Sequence, residues 1–90
     1  MILQAYTIFD KKAKCYTPYQ FTKDIPDVLA ETYERSALKN VKDFDQYRGM
    51  VLKHVGIFDD KTGILEALSE FNDVIDFDSL ILDVKELKDE

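Results

Sequence analysis

Hydrophobic and polar residues follow two different periods along this 90-residue chain, and the changes of period mark its elements. Ile2 to Phe9 (ILQAYTIF) is dominated by branched and aromatic residues, and Ala13 to Phe21 (AKCYTPYQF) continues extended after a tight polar break at Asp10-Lys11-Lys12. Such residues pack well on a pleated surface, so the pair predicts a β-hairpin. Pro18 cannot donate a ladder hydrogen bond, which predicts that the second strand is short, ends near Thr17, or lies at a sheet edge.

From Pro26 the period becomes helical. Leu29, Tyr33 and Ala37 recur at i, i+4 and i+8 with Val28 and Ala30 beside them, while Asp27, Glu31, Glu34 and Arg35 lie largely opposite. One buried face and one wet face follow. Asp24 reads as the cap, Pro26 tolerates the first turn because its missing amide proton costs little there, and Asp27 and Glu31 suit the positive end of the dipole. The helix should fade around Lys39-Asn40, with Lys42 to Tyr47 (KDFDQY) as a connector.

Met50 to Phe58 (MVLKHVGIF) returns to the strand pattern, and Asp59-Asp60-Lys61-Thr62-Gly63 supplies turn chemistry. A leading Asp accepts backbone amides, and a Gly takes the left-handed conformation that closes a short hairpin. Ile64 to Leu68 then reads as a fourth strand. Ile64, Leu65, Ala67, Leu68 and Phe71 also fit a helical stripe, but the turn signal favours the strand. Beyond the acidic stretch NDVIDFDS, Leu80, Ile81, Val84 and Leu87 fit a terminal amphipathic helix capped by Asp78 or Ser79. Ser79 to Val84 fits an edge strand equally, and the closing KELKDE should fray.

The phrase Ile8-Phe9-Asp10-Lys11-Lys12 returns as Ile57-Phe58-Asp59-Asp60-Lys61. In both, an apolar pair ends a strand and the polar part makes a bend, so the repetition reports two hairpins of similar design. The expected fold is therefore α+β: a small antiparallel sheet from two β-hairpins (β-β-α-β-β) with one helix packed on a face. Residues 1–78 form the expected single domain, and 79–90 an acidic C-terminal segment laid at an edge.

Composition changes this picture little. Hydrophobic residues make up 46% and charged residues 33%, the balance of a soluble globular domain. No basic residue precedes the N-terminal apolar run and no charge-free stretch exceeds nine residues, so neither a signal peptide nor a membrane span is expected. A single Cys15 fits a reducing compartment. Charge is uneven: residues 1–57 carry nine Lys/Arg against seven Asp/Glu, a surplus of +2, whereas 58–90 carry three against eleven, or -8. Local rather than average charge attracts a polyanion, so the front of the chain can still face nucleic acid.

Catalytic chemistry finds little support. His54 is the only histidine and sits mid-strand, where a packed or half-exposed structural imidazole is expected rather than a general base, and Cys15, with neither a second histidine nor a Cys partner, reads as a small buried residue rather than a reactive thiol. The acid pairs Asp43-x-Asp45, Asp59-Asp60 and Asp76-x-Asp78 lack calcium-loop spacing and read as solvated loops. Gly49, Gly56 and Gly63 sit singly, so no phosphate-cradling loop occurs. No enzyme activity, metal or other cofactor is expected.

One constellation is sharper. KKAKCYTPYQFTK interleaves Lys11, Lys12, Lys14 and Lys23 with Tyr16, Tyr19 and Phe21. Ammonium groups meet phosphates and rings stack on bases, so this mixture suits single-stranded nucleic acid. The plainer reading packs Tyr16 and Phe21 on the helix and leaves the lysines to solubilise a hairpin.

The order Ile2-Leu3, Tyr6-x-Ile8-Phe9-Asp10-x-Lys12-Ala13, Tyr16-x-Pro18, a helix, Asp45-x-Tyr47, then Val55-Gly56-x-Phe58-Asp59-Asp60-x-Thr62-Gly63 resembles the small nonstructural protein of gokushovirus-type microviruses, tailless single-stranded DNA bacteriophages. The resemblance covers about residues 1–68 and loosens in the acidic stretch beyond. It implies a phage protein in the bacterial host cytoplasm, linked to single-stranded DNA genome replication or packaging, and it transfers no catalytic residues. Expected partners are single-stranded DNA, a phage or host replication or capsid protein, and, through an exposed sheet edge, a second copy in a homodimer. A protein-interaction module that modulates a replication protein without touching DNA is the alternative.

Overall fold

The computed structural model describes residues 1–39 and 46–88, and side chains within that range up to residue 85. In chain order the elements are β1 (Ile2–Asp10), β2 (Cys15–Tyr16), β3 (Gln20–Thr22), α1 (Pro26–Lys39), β4 (Met50–Asp59), β5 (Ile64–Asp76) and α2 (Phe77–Lys88). All pairings are antiparallel, in the order β2-β1-β4-β5, with β3 sharing the β2 edge of β1. This is the α+β class expected, with a second helix added.

Both helices lie on one face of the sheet. Alternate residues Tyr6 and Ile8 of β1, with Leu52 of β4 and Ile75 of β5, meet Ala37 of α1 and Phe77, Leu80, Ile81 and Val84 of α2 in one buried cluster. Leu29, Ala30 and Tyr33 pack against it, so the stripe read from the sequence is the face α1 buries. Phe77 is the centre: it is fully buried, edge-on to Tyr33 at 5.5 Å and stacked on Tyr47 at 4.9 Å. Aromatic pairs at these separations add to the area they remove from water.

The two Asp-Lys phrases are turns. Asp10 Oδ1 accepts the amides of Lys12 and Ala13, and Asp59 Oδ1 accepts that of Lys61. Asp10 then pairs with Cys15 and Asp59 with Ile64, so each loop holds four residues. Its last residue has positive φ in both, Gly63 at 73° and Lys14 at 55°.

Several expectations need correction. Cys15, expected to be a small buried residue, is exposed. Of the two forms expected for the last segment it takes the helix rather than the strand, and it is not laid at an edge: α2 contributes four side chains to the core. Its cap is Asp76, whose Oδ1 accepts the Asp78 amide, while Asp78 instead accepts the amide of Gly49. Asp24 does not cap α1 with its carboxylate. The first helical bond runs to the Ile25 carbonyl, and the Asp24 carbonyl is held by the Tyr6 hydroxyl at 2.8 Å. β5 continues far beyond Leu68, and residues 64–71 are strand. Much of the expected connector and Asp43-x-Asp45 lie outside the described residues.

β5 reaches its length by bulging. His54 pairs with Asn72 and Gly56 with Ala67, so the single residue Val55 faces the four residues 68–71. Gly56 sits at this junction, where a Cβ would lie 2.5 Å from the Glu66 carbonyl oxygen. Only glycine lets β5 approach so closely. The outer edge of β5 carries no Pro or Lys, whereas the opposite edge is broken by Pro18 between β2 and β3.

Candidate nucleic-acid interface

Paired residues of a sheet share a face, so the register fixes what lies opposite the helices. Leu3, Ala5, Thr7 and Phe9 of β1 alternate with the core-facing positions, and across from them stand Tyr16 of β2, Phe21 of β3, and Lys53, Gly56 and Phe58 of β4. No described helix covers this face. Its side chains form two ring groups of their own.

The first group gathers Phe9, Tyr16 and Phe71. Phe9 and Tyr16 are 4.7 Å apart, and Tyr16 meets Phe71 edge-on at 6.3 Å. Tyr16 and Phe71 come from strands separated by β1 and β4, and the bulge in β5 supplies the slack that lets Phe71 reach inward. Bulges commonly re-aim a side chain in this way. Lys53 Nζ lies 5.7 Å from the centre of the Phe9 ring and pairs with Asp73 at 3.2 Å. Beneath the group, Val51 is buried.

The second group is Phe21 and Phe58, 5.2 Å apart. Their floor is Ala5 opposite Gly56, two small residues that leave room for rings to close from either side. Ala5 is fully buried as a result. Tyr16, Phe21 and Phe71 nonetheless remain 51%, 45% and 41% exposed, so the rings present substantial surface outward.

The sequence singled out Lys11, Lys12, Lys14, Tyr16, Tyr19, Phe21 and Lys23, and all seven are exposed. Tyr16 and Phe21 join the open face, which overturns the plainer reading that they pack on the helix. Tyr19 stands between β2 and β3 in neither ring group. Lys12 and Lys14 sit in the β1–β2 loop and Lys23 just beyond β3, so they stand at the two ends of the ring face. Lys12 lays its stem against Gly49. Lys11 faces acids instead, with Nζ 3.9 Å from Asp76 and 3.7 Å from Asp78.

Phe9, Phe58, Phe71 and Lys53 belong to the face and escaped the sequence reading. A usable signal existed: β1 is apolar at both alternating sets of positions, Tyr6 and Ile8 on one side and Leu3, Ala5 and Phe9 on the other, which implies two apolar faces. Phe71 had no such signal, because its placement depends on the bulge.

Other sites carry less chemistry. His54 is buried beside Tyr6, ring centres 5.1 Å apart, and its Nε2 has no hydrogen-bond partner among the described residues. Of the two structural settings expected for it, packed and half-exposed, this is the packed one. Among the described residues no three His, Cys, Asp or Glu converge as a metal would require, and no helix is long and apolar enough to cross a membrane. On the helix side, beyond the helices, Ile2, Ile57 and Ile64 line a shallow groove of about 310 Å³ rimmed by Asp59 and Glu66. Compared with known proteins, the chain matches no family model, no curated protein and no solved structure.

Proposed function

We propose that this chain is a non-enzymatic bacteriophage nonstructural protein that binds single-stranded DNA during genome replication or packaging in the host cytoplasm. The observation that carries the reading is the helix-free sheet face, where half-exposed rings stand with Lys12, Lys14 and Lys23 at the two ends. Rings stack on bases of any sequence and the lysines meet phosphates, which is how sequence-tolerant single-strand binders divide the work. Carboxylates limit the strength of binding: Asp73, Asp76 and Asp78 already hold Lys53 and Lys11. The resemblance to microvirus nonstructural proteins points the same way.

Titration of a labelled oligothymidylate across a salt series tests this. Three phosphate-contacting lysines give a log-log salt slope of about -2 for a single strand. Replacing Lys12, Lys14 and Lys23 with Gln should weaken binding at low salt and flatten that slope. An affinity indifferent to these three changes removes the proposed surface.

A second reading rests on the groove of Ile2, Ile57 and Ile64. Its apolar floor and acidic rim suit a short apolar segment with basic flanks from a phage or host replication protein. Under that reading oligonucleotides do not bind at low salt, and Ile57→Asp abolishes copurification of the partner.

A further inference from the structure

We infer that the two ring groups are separate base-stacking stations, set so that they take two non-adjacent bases of an unstacked strand running along β1. This rests on the single-strand reading above and specifies what form of the strand the face accepts.

The first station is centred on Phe9 with Tyr16 opposite, and the second on Ala5 with Phe21 opposite. Four residues of β1 separate them, about 13 Å at the rise of a strand. Neighbouring bases in a stacked strand lie only about 3.4 Å apart. Consecutive stacked bases therefore cannot occupy both stations. A backbone stretched to about twice that spacing reaches from one to the other in two steps, leaving one base between them. The floor between the stations is Thr7, which is buried and offers no ring, and its hydroxyl is already committed to the Thr17 carbonyl at 2.7 Å. The middle base finds nothing to stack on.

The flanking charges agree with this path. Lys14 stands at the end of the β2/β3 edge nearest the first station, with Lys12 in the same loop leaning toward Gly49 on the β4 side, and Lys23 at the end nearest the second. A strand laid along β1 thus meets ammonium groups at both ends of a three-nucleotide span. A base-paired duplex is refused, since its bases are stacked at the short spacing and turned inward.

Fluorescence anisotropy with labelled oligothymidylates of two to eight nucleotides tests the spacing. Affinity should step upward between two and three nucleotides and rise gently thereafter. An abasic site at the centre of the trinucleotide should leave binding within about two-fold, whereas one at either end should weaken it about ten-fold, the loss of one stacked base. Tyr16→Leu and Phe21→Leu keep apolar cover on the face while removing the rings, and each should also cost about ten-fold. Single-strand binding that rises smoothly with length and ignores both substitutions overturns the stations but leaves the single-strand reading standing. No binding to any oligonucleotide at low salt overturns both.

Discussion

A carboxylate on the last residue of a strand can seed a reversal by accepting amide protons from the residues just beyond it. Asp10 and Asp59 both do so, and in both loops the chain returns to its strand through a residue with positive φ. At the second loop that residue is Gly63, which adopts the conformation freely. At the first it is Lys14, whose Cβ is crowded there. Lys14→Gly should therefore raise stability by about 0.5 kcal/mol, relief of strain exceeding the added freedom of the unfolded chain. Gly63→Ala should lower it by about 1 kcal/mol. Urea midpoints of the two variants would show the opposite signs. Lys14 is also one of the lysines proposed to meet phosphate, so keeping a strained Lys there fits a binding role better than a folding one.

Tyr6 makes a second residue-scale prediction. Burial first, and the negative charge of Asp24 second, raise its phenol above the ordinary value of 10.0, and burial followed by Tyr47 raises Tyr33 likewise. Above pH 10 the unfolded chain loses these protons before the folded one does, so it binds fewer protons and stability falls as pH rises. Below that pH the contribution is fully present. Denaturant unfolding at successive alkaline pH values should show the decline, and Tyr6→Phe should make it shallower.

At the scale of elements, most of the fold was legible, because α1 keeps a helical stripe and β1 and β4 are runs of at least nine residues rich in branched and aromatic side chains. Two elements were not. The sequence suggests a strand only from Ile64 to Leu68, whereas β5 runs on to Asp76 through a bulge at residues 68–71 that no local pattern announces. The segment after Asp76 fitted both helix and strand until Phe77 is seen beneath Tyr33 and Tyr47. Its burial makes α2 part of the core, and Phe77→Ala should cost about 3–5 kcal/mol, the usual loss for a buried ring. That is a large share of the stability of so small a domain. A thermal or urea melt should find the variant mostly unfolded, whereas Leu82→Ala, on the exposed side of the same helix, should change little.

For the molecule as a whole, the sequence located the lysines and two of the aromatic residues of the candidate face but not the face itself. Tyr16 and Phe21 were visible as rings among lysines. That they stand away from the helices, with Phe9, Phe58 and Phe71 beside them, follows from register across strands distant in sequence. Even the supposed helix packing of Tyr16 and Phe21 was reasonable locally, because one apolar face of a sheet looks like another until the helices are placed.

The unequal rims of the sheet carry one last consequence. Among the described residues no strand pairs with the outer side of β5, whereas the opposite rim is too short and too interrupted by Pro18 to offer a matching row. Among the described strands, copies joining through backbone groups could do so β5 to β5, and that union would use up the long open template each of them offers. Growth would halt at two, so crowding this protein should not seed an endless ribbon.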